Sequence, residues 1–352
     1  MNFRKLEEIL KERKQPKFRL GQIMKAVYQD GVSDFAEISN LPKSLREVLE
    51  KEIKILSFSV EKVLVSTEKN SIKALLKLEG GNLIETVLIS PKPDIWSACI
   101  SSQNGCPLGC KFCATGGGGF KRNLTAEEIA DQVLFWKQYL KINSGSKSPL
   151  NGFLEPVGRL TNIVYMGMGE PFLNWDPVKE SLEILTDKKY FNFGSRSISV
   201  STAGISEGIG NLAKDFPQIN LAISLHFAKD EKRSRFMPIN KKYNLVALKK
   251  ALDEYFEKCN RKVFLEYILF DKINDQESDT NDLASYIKSF KKHNLLHVNL
   301  IRYNETSDKF KHSSFEQTQK FKNWLLVKSI NCTIRKSLGQ DIQGACGQLA
   351  GQ

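Results

Sequence analysis

The sequence predicts an α/β protein: a parallel sheet or β/α barrel, preceded by a small helical region and a β-rich connecting segment. Three observations carry this. Apolar residues recur at helical spacing up to about residue 55, residues 56–92 follow strand patterns, and beyond residue 93 strands and helices alternate. The chain has 352 residues, of which 41% are apolar, enough for one large domain and a smaller one.

The helical region, 1–55, rests on Leu6, Leu10, Ile23, Val27, Phe35, Ile38, Leu45 and Leu49, with breaks at Pro16, Gly31 and Pro42. Its first stretch, MNFRKLEEILKERKQPKFRL, is charged throughout and reads as an amphipathic helix rather than a secretory leader. No apolar run approaches the roughly 20 residues that span a bilayer, so a cytoplasmic protein is expected. The net charge of +12 favours an anionic partner, nucleic acid first. Lys14, Lys17, Arg19 and Lys25 are either a solvated face or an RNA contact.

FSVEKVLV, SIKALLKL and LIETVLIS are the strands of the connecting segment, with a turn at Gly80–Gly81 and a boundary at Pro91 and Pro93. SACISSQ then leads into a cysteine loop. TAEEIADQVLFWKQYLK is a helix with Thr125 as N-cap and Glu128 at capping-box spacing. TNIVYMGMG, SISVSTAG, INLAISLHF, VFLEYILF, HVNLIRYN and NCTIRKS follow as strands within the main region, 93–352. NSGSKSPLNGFLEPVGRL, 143–160, reads as a polar surface insertion.

The loop GCPLGCKFCATG carries Cys106, Cys110 and Cys113 among glycines. Seven cysteines in all, three of them crowded, suggest metal or redox chemistry rather than structural disulfides. Structural zinc takes four ligands. An iron–sulfur cube usually takes four cysteines, so three leave one iron open for a substrate or cofactor. Zinc with a distant fourth ligand, such as Cys99 or a histidine, competes on spacing alone. Lys111, Phe112 and the place of the loop after a first barrel strand count against it.

With an aromatic residue before its last cysteine, this spacing resembles the signature of radical S-adenosylmethionine (SAM) enzymes. CISSQNGCPLGCKFCATG, MGMGEP, STAG, SLH, INKKYN, HVNLIRYN, DIQGACGQLAG and the early QPKFRLGQI together resemble the RlmN/Cfr family of RNA adenine methyltransferases. The resemblance covers most of the chain and implies a partial β/α barrel of the radical SAM type. It implies a [4Fe-4S] cluster on Cys106, Cys110 and Cys113, with SAM on the open iron. Gly169, Glu170, Ser201, Ser224, Leu225, His226 and Asn304 would contact SAM. Taken alone, MGMGEP would be an ordinary βα turn and His226 a satisfied core histidine.

The resemblance further implies Cys346 as a methyl carrier, Cys99 as the cysteine that resolves the carrier through a transient disulfide, and Glu85 as a proton acceptor. Without it, each would read as a buried thiol or a strand glutamate. Cys259 and Cys332 match no motif and read as structural. The family acts on an adenine of 23S ribosomal RNA, and some members on tRNA, with an electron donor such as flavodoxin or ferredoxin. GEPFLN, with Pro171, resembles the C2-methylating branch, whereas HVNLIRYN, with Arg302, resembles the C8-methylating resistance branch. C2 is the expectation and C8 the alternative. Many relatives continue with a basic helix where this sequence stops at Gln352, which implies a weaker RNA grip or a narrower substrate range. A monomer is expected. Two rivals are a different radical SAM enzyme, which has no use for a Cys99–Cys346 pair, and a zinc-stabilised RNA-binding module without catalysis.

Overall fold

The computed structural model describes residues 1, 3–143 and 158–351. The insertion expected at 143–160 therefore lies almost wholly outside the described residues. The helical region forms α1 (Phe3–Glu12), α2 (Phe18–Met24) and α3 (Lys43–Glu52). Pro16 separates the first two, and Pro42 caps the third. Leu6, Ile9, Leu10, Val27, Leu45 and Leu49 are buried, as their spacing requires. Tyr28 sits among Phe3, Tyr190 and Phe191 at ring distances of 5.0–5.8 Å, which docks the region onto the main body.

Strands β1 (Phe58–Val65), β2 (Ser71–Leu78) and β3 (Leu83–Lys92) form an antiparallel ribbon. β3 pairs antiparallel with β4 (Ile95–Cys99), Lys92 opposite Ile95. The Pro91–Pro93 stretch is thus a hairpin, and the ribbon continues the main sheet. The expected strand SACISSQ is cut short: its first three residues end β4, residues 100–102 lie between strands, and Gln103 begins β5 (Gln103–Gly105), which pairs with β6 (Phe120–Asn123) around the cysteine loop and the short helix α4 (Ala114–Gly117).

Helix α5 (Ala126–Asn143) follows, with the expected reciprocal cap: Glu128 N donates to Thr125 Oγ1 at 3.2 Å and Thr125 N to Glu128 Oε2 at 3.0 Å. Strands and helices then alternate: β7 (Arg159–Tyr165), α6 (Trp175–Thr186), β8 (Ile198–Thr202), α7 (Ser206–Asp215), β9 (Asn220–Ser224), α8 (Asp230–Phe236), α9 (Leu245–Lys258), β10 (Val263–Leu269), α10 (Glu277–Lys288), β11 (Leu296–Arg302), α11 (Phe315–Val327) and β12 (Cys332–Arg335).

The sheet has ten strands in the order β1-β2-β3-β4-β7-β8-β9-β10-β11-β12. From β4 onward every neighbour is parallel. Among the described residues no pairing closes β12 onto the other edge, so the barrel is partial. Trp136 on α5 is fully buried and donates to Thr86 Oγ1 on β3 at 3.0 Å, fixing helix to sheet. No described helix is long and apolar enough to cross a membrane.

Candidate active site

A cavity of about 390 Å³ opens at the C-terminal ends of the parallel strands, within the range of small-molecule sites. Cys106, Cys110 and Cys113 lie on its wall, as do Cys99 and Cys346.

The cysteine loop is held by apolar packing. Phe112 is buried against His226 and Phe270, both at 5.3 Å, within a cluster that includes Phe227, Phe236 and Tyr303. The three ligand candidates pack on that cluster. Gly105 turns at φ +76°, and a Cβ there would overlap the Gly119 carbonyl; this closes the loop at its base. Burial raises the Cys106 thiol to about 12 and pushes Cys110 up further, with the neighbouring thiols adding to the shift. Bare thiols in this place are costly to ionise, so holding them as thiolates calls for a cationic partner. No three described His, Cys, Asp or Glu side chains surround a point suited to one metal ion. Three soft donors along a cavity wall fit a polynuclear cluster with an open corner better than tetrahedral zinc.

The polar residues of CISSQ wire this loop to the MGMGEP turn. Ser101 N and O bond the Gln132 amide on α5 at 2.8 and 2.9 Å. Ser101 Oγ accepts from Met168 N at 2.8 Å, and Gln103 Oε1 accepts from Glu170 N at 2.8 Å. At Gly169, φ +102°, a Cβ would lie 2.6 Å from Gln103 Cβ. Close approach to Gln103 requires this glycine, where the sequence suggested approach to a ligand.

Glu170 is buried, and its carboxylate accepts from Phe172 N at 3.1 Å and Ala203 N at 2.7 Å. Burial raises its carboxyl to about 7 against these bonds. Ser201 and Ser224 end β8 and β9, their hydroxyls 3.5 Å apart. His226 has φ +55°, and its Nδ1 accepts from Ile268 N at 3.2 Å, which leaves Nε2 as the protonated nitrogen. Burial, aided by the Arg233 guanidinium, lowers its pKa to about 3, so the ring is neutral. Gly169, Glu170, Ser201, Ser224 and His226 all line the cavity.

Leu225 and Asn304 do not line the cavity. The Leu225 side chain is fully buried in the core. Asn304 Nδ2 donates to Cys346 O at 3.0 Å, and its Oδ1 accepts from Gln340 Nε2 at 2.6 Å. Glu85 is also away from the cavity wall, engaged with Lys73 and the C-terminal segment. Among the seven cysteines there is no disulfide. Cys259 and Cys332 are buried outside the cavity wall.

Cys99 is raised to about 12 and Cys346 to about 11, desolvation of the sulfur being the main cause in both, although Cys346 as a whole residue is exposed. The Arg335 guanidinium opposes both shifts. Its Nη1 lies 3.3 Å from Glu266 Oε2, and Glu266 Oε1 accepts from Asn299 Nδ2 at 2.9 Å. Sequence reasoning missed this pair, though a glutamate inside the apolar strand VFLEYILF was a usable signal. It also missed Arg233, fully buried, which donates to the carbonyls of Ala203, Ser224 and Leu225 and so ties the ends of β8 and β9 together. Nothing marked Arg233 within the charged stretch DEKRSR. Arg302, the last residue of β11, lies between cavity-lining Ile301 and Tyr303 and points the other way, its Nε donating to Ser313 O at 3.0 Å.

Residues 1–55 match the family model for the ribosomal RNA large subunit methyltransferase N-terminal domain. The chain is 39% identical over 351 residues to the ribosomal RNA large subunit methyltransferase Cfr of Bacillus velezensis, covering 99% of this chain and 95% of that protein. It is 39% identical to a probable dual-specificity RNA methyltransferase RlmN of Salinibacter ruber, covering 99% and 92%. The crystal structure of a radical SAM methyltransferase from Sphaerobacter thermophilus superposes with a TM-score of 0.89 at 35% identity, covering 100% of this chain and 98% of that one. The cysteine loop on an open parallel barrel, with full-length identity to both branches, means that the chain belongs to the RlmN/Cfr family of radical SAM methyltransferases.

Proposed function

We propose that this protein methylates C2 of an adenine in large-subunit ribosomal RNA, with Cys346 as the methyl carrier and Cys99 as the resolving thiol. The observation that carries the reading is one cavity shared by Cys106, Cys110 and Cys113 and by the separate pair Cys99 and Cys346. A cluster of the [4Fe-4S] type on the three loop cysteines, when bound, supplies the electron that cleaves SAM to a hydrogen-abstracting radical. Gly169, Glu170, Ser201, Ser224 and His226 form the SAM wall, Glu170 accepting from its ammonium, with backbone help at Leu225.

A carrier is needed because C2 of adenine is an electron-poor aromatic carbon and cannot attack a sulfonium methyl. The Cys346 sulfur can. It takes a methyl from one SAM by displacement, and a hydrogen atom is then removed from that S-methyl at the expense of a second SAM. The methylene radical adds to the ring carbon, and the adduct gives up its unpaired electron to the oxidised flavodoxin- or ferredoxin-type carrier as the ring proton leaves. The Cys99 thiolate then attacks the Cys346 sulfur, the S–C bonding pair goes to carbon, which takes a proton to complete the methyl, and a Cys99–Cys346 disulfide remains for a reductant to reopen. Asn304 contributes by holding the Cys346 carbonyl. The reading includes a flavodoxin- or ferredoxin-type donor, a monomeric enzyme and a cytoplasmic location.

The C8 alternative drew on Arg302, whose side chain faces away from the cavity. The test is anaerobic reaction with 23S RNA, then nucleoside mass spectrometry. We expect 2-methyladenosine. 8-Methyladenosine would overturn the regiochemistry, and no methylated adenosine the function. A parallel reaction on tRNA reads the second substrate class.

A further inference from the structure

We propose that the buried Lys73–Glu85 ion pair is a clamp that positions the Cys346 loop, and that Glu85 serves the reaction through this loop rather than as a base on the substrate. The inference rests on the proposed role of Cys346. The family resemblance gives Glu85 the base role, and the geometry points elsewhere.

β2 and β3 pair with Leu75 opposite Glu85 and Lys73 opposite Val87, so Lys73 and Glu85 are diagonal neighbours. They share the sheet face on which Val87 and Ile89 line the cavity. Their side chains are 7% and 1% exposed, with Lys73 Nζ 2.7 Å from Glu85 Oε1. The same ammonium donates to Gln343 O at 3.3 Å. Glu85 Oε2 accepts from Ala350 N at 2.7 Å and Gly351 N at 3.0 Å. One ion pair thus grips the segment on both sides of Cys346.

The middle of the segment is tied elsewhere. Ala114 N donates to Gly347 O at 2.8 Å and Thr115 Oγ1 to Leu349 O at 2.6 Å, just beyond Cys113, while Asn304 holds the Cys346 carbonyl. The loop therefore spans from the ribbon to the short helix α4 that follows Cys113, and the clamp sets its outer edge. A general base needs an oxygen within reach of the proton it removes. Glu85 is off the cavity wall, one oxygen on an ammonium and the other on two backbone N–H groups. Buried charges satisfied in this manner are costly to separate, because removing either partner strands the other.

The experiment compares full-length Glu85→Ala, Glu85→Gln and Lys73→Met proteins with wild type, all reconstituted anaerobically. Tryptic cleavage after Lys336 and iodoacetamide labelling of Cys346 read the loop; RNA methylation and covalent RNA–protein adduct read the chemistry. We expect Glu85→Ala and Lys73→Met each to speed cleavage and labelling at least fivefold. Methylation should slow in step, without adduct, and the milder Glu85→Gln should fall between them and wild type. Adduct accumulating in Glu85→Gln with the loop protected as in wild type would overturn the clamp. Unchanged cleavage and labelling in both Glu85→Ala and Lys73→Met would do the same. The loop measurements need no turnover, so an inactive wild type would sink the proposed function while leaving the clamp readable.

Discussion

His226 is held neutral by its surroundings, and this has a measurable sign. Its pKa falls from 6.5 to about 3 because burial, then the Arg233 guanidinium, disfavours the cation. The unfolded chain takes up the proton below pH 6.5 and the native state refuses it, so stability is full above 6.5 and is lost as pH falls toward 3. Between pH 7 and 5 the loss is about 2 kcal/mol. His226→Asn, which tolerates the positive φ, should reduce that pH-dependent loss by a similar amount in denaturant titrations of metal-free protein. Arg335 acts on the thiols in the opposite sense, favouring their ionised forms. Arg335→Met should move the pH midpoint of Cys346 alkylation upward, roughly tenfold in rate per pH unit below it. Cys346→Ala should keep iron, sulfide and SAM cleavage while losing RNA methylation; retained methyl transfer would remove the carrier role.

Elements place these groups, and the sequence exposed elements better than their wiring. The three ribbon strands fall where FSVEKVLV, SIKALLKL and LIETVLIS put them, because alternation and turn glycines are local signals. SACISSQ failed as one strand because its polar residues bond across to α5 and to the MGMGEP turn instead of continuing the ladder. The cysteine loop was legible from spacing, and its motif residues by resemblance. Arg233, Arg335 and Gln132 were not, since their roles arise from tertiary contacts that no local pattern announces, and Glu266 showed only as a charge inside an apolar strand. Gln132 offers a test at this scale. Gln132→Leu leaves the Ser101 N–H and C=O unpaired in the core, which costs about 1–3 kcal/mol for each buried group left unsatisfied. Because Ser101 also holds Met168, the variant should melt lower and retain less iron per chain after anaerobic reconstitution. Normal iron content would separate this hydrogen-bond lattice from cluster retention.

At the scale of the whole molecule, a net charge of +12 suits an RNA substrate, whose phosphates need cationic partners. The helical region offers Lys14, Lys17 and Lys25 as exposed cations, together with an exposed Phe18 stacked under the Arg19 guanidinium at 5.0 Å. Arg19 is committed to the fold, donating to Gln22 Oε1 at 2.8 Å and Asn40 O at 2.7 Å, so of these four cations the three lysines are the ones left for phosphate. Each phosphate contact adds about 0.7–0.9 to the slope of log affinity against log salt. Replacing all three lysines with glutamate should therefore lower that slope by about 2–3 and weaken binding most at low salt. None of the three contacts the cavity, so cluster content and SAM cleavage without RNA should match wild type. An unchanged slope would make this face a solvated one and shift the RNA grip to the main body.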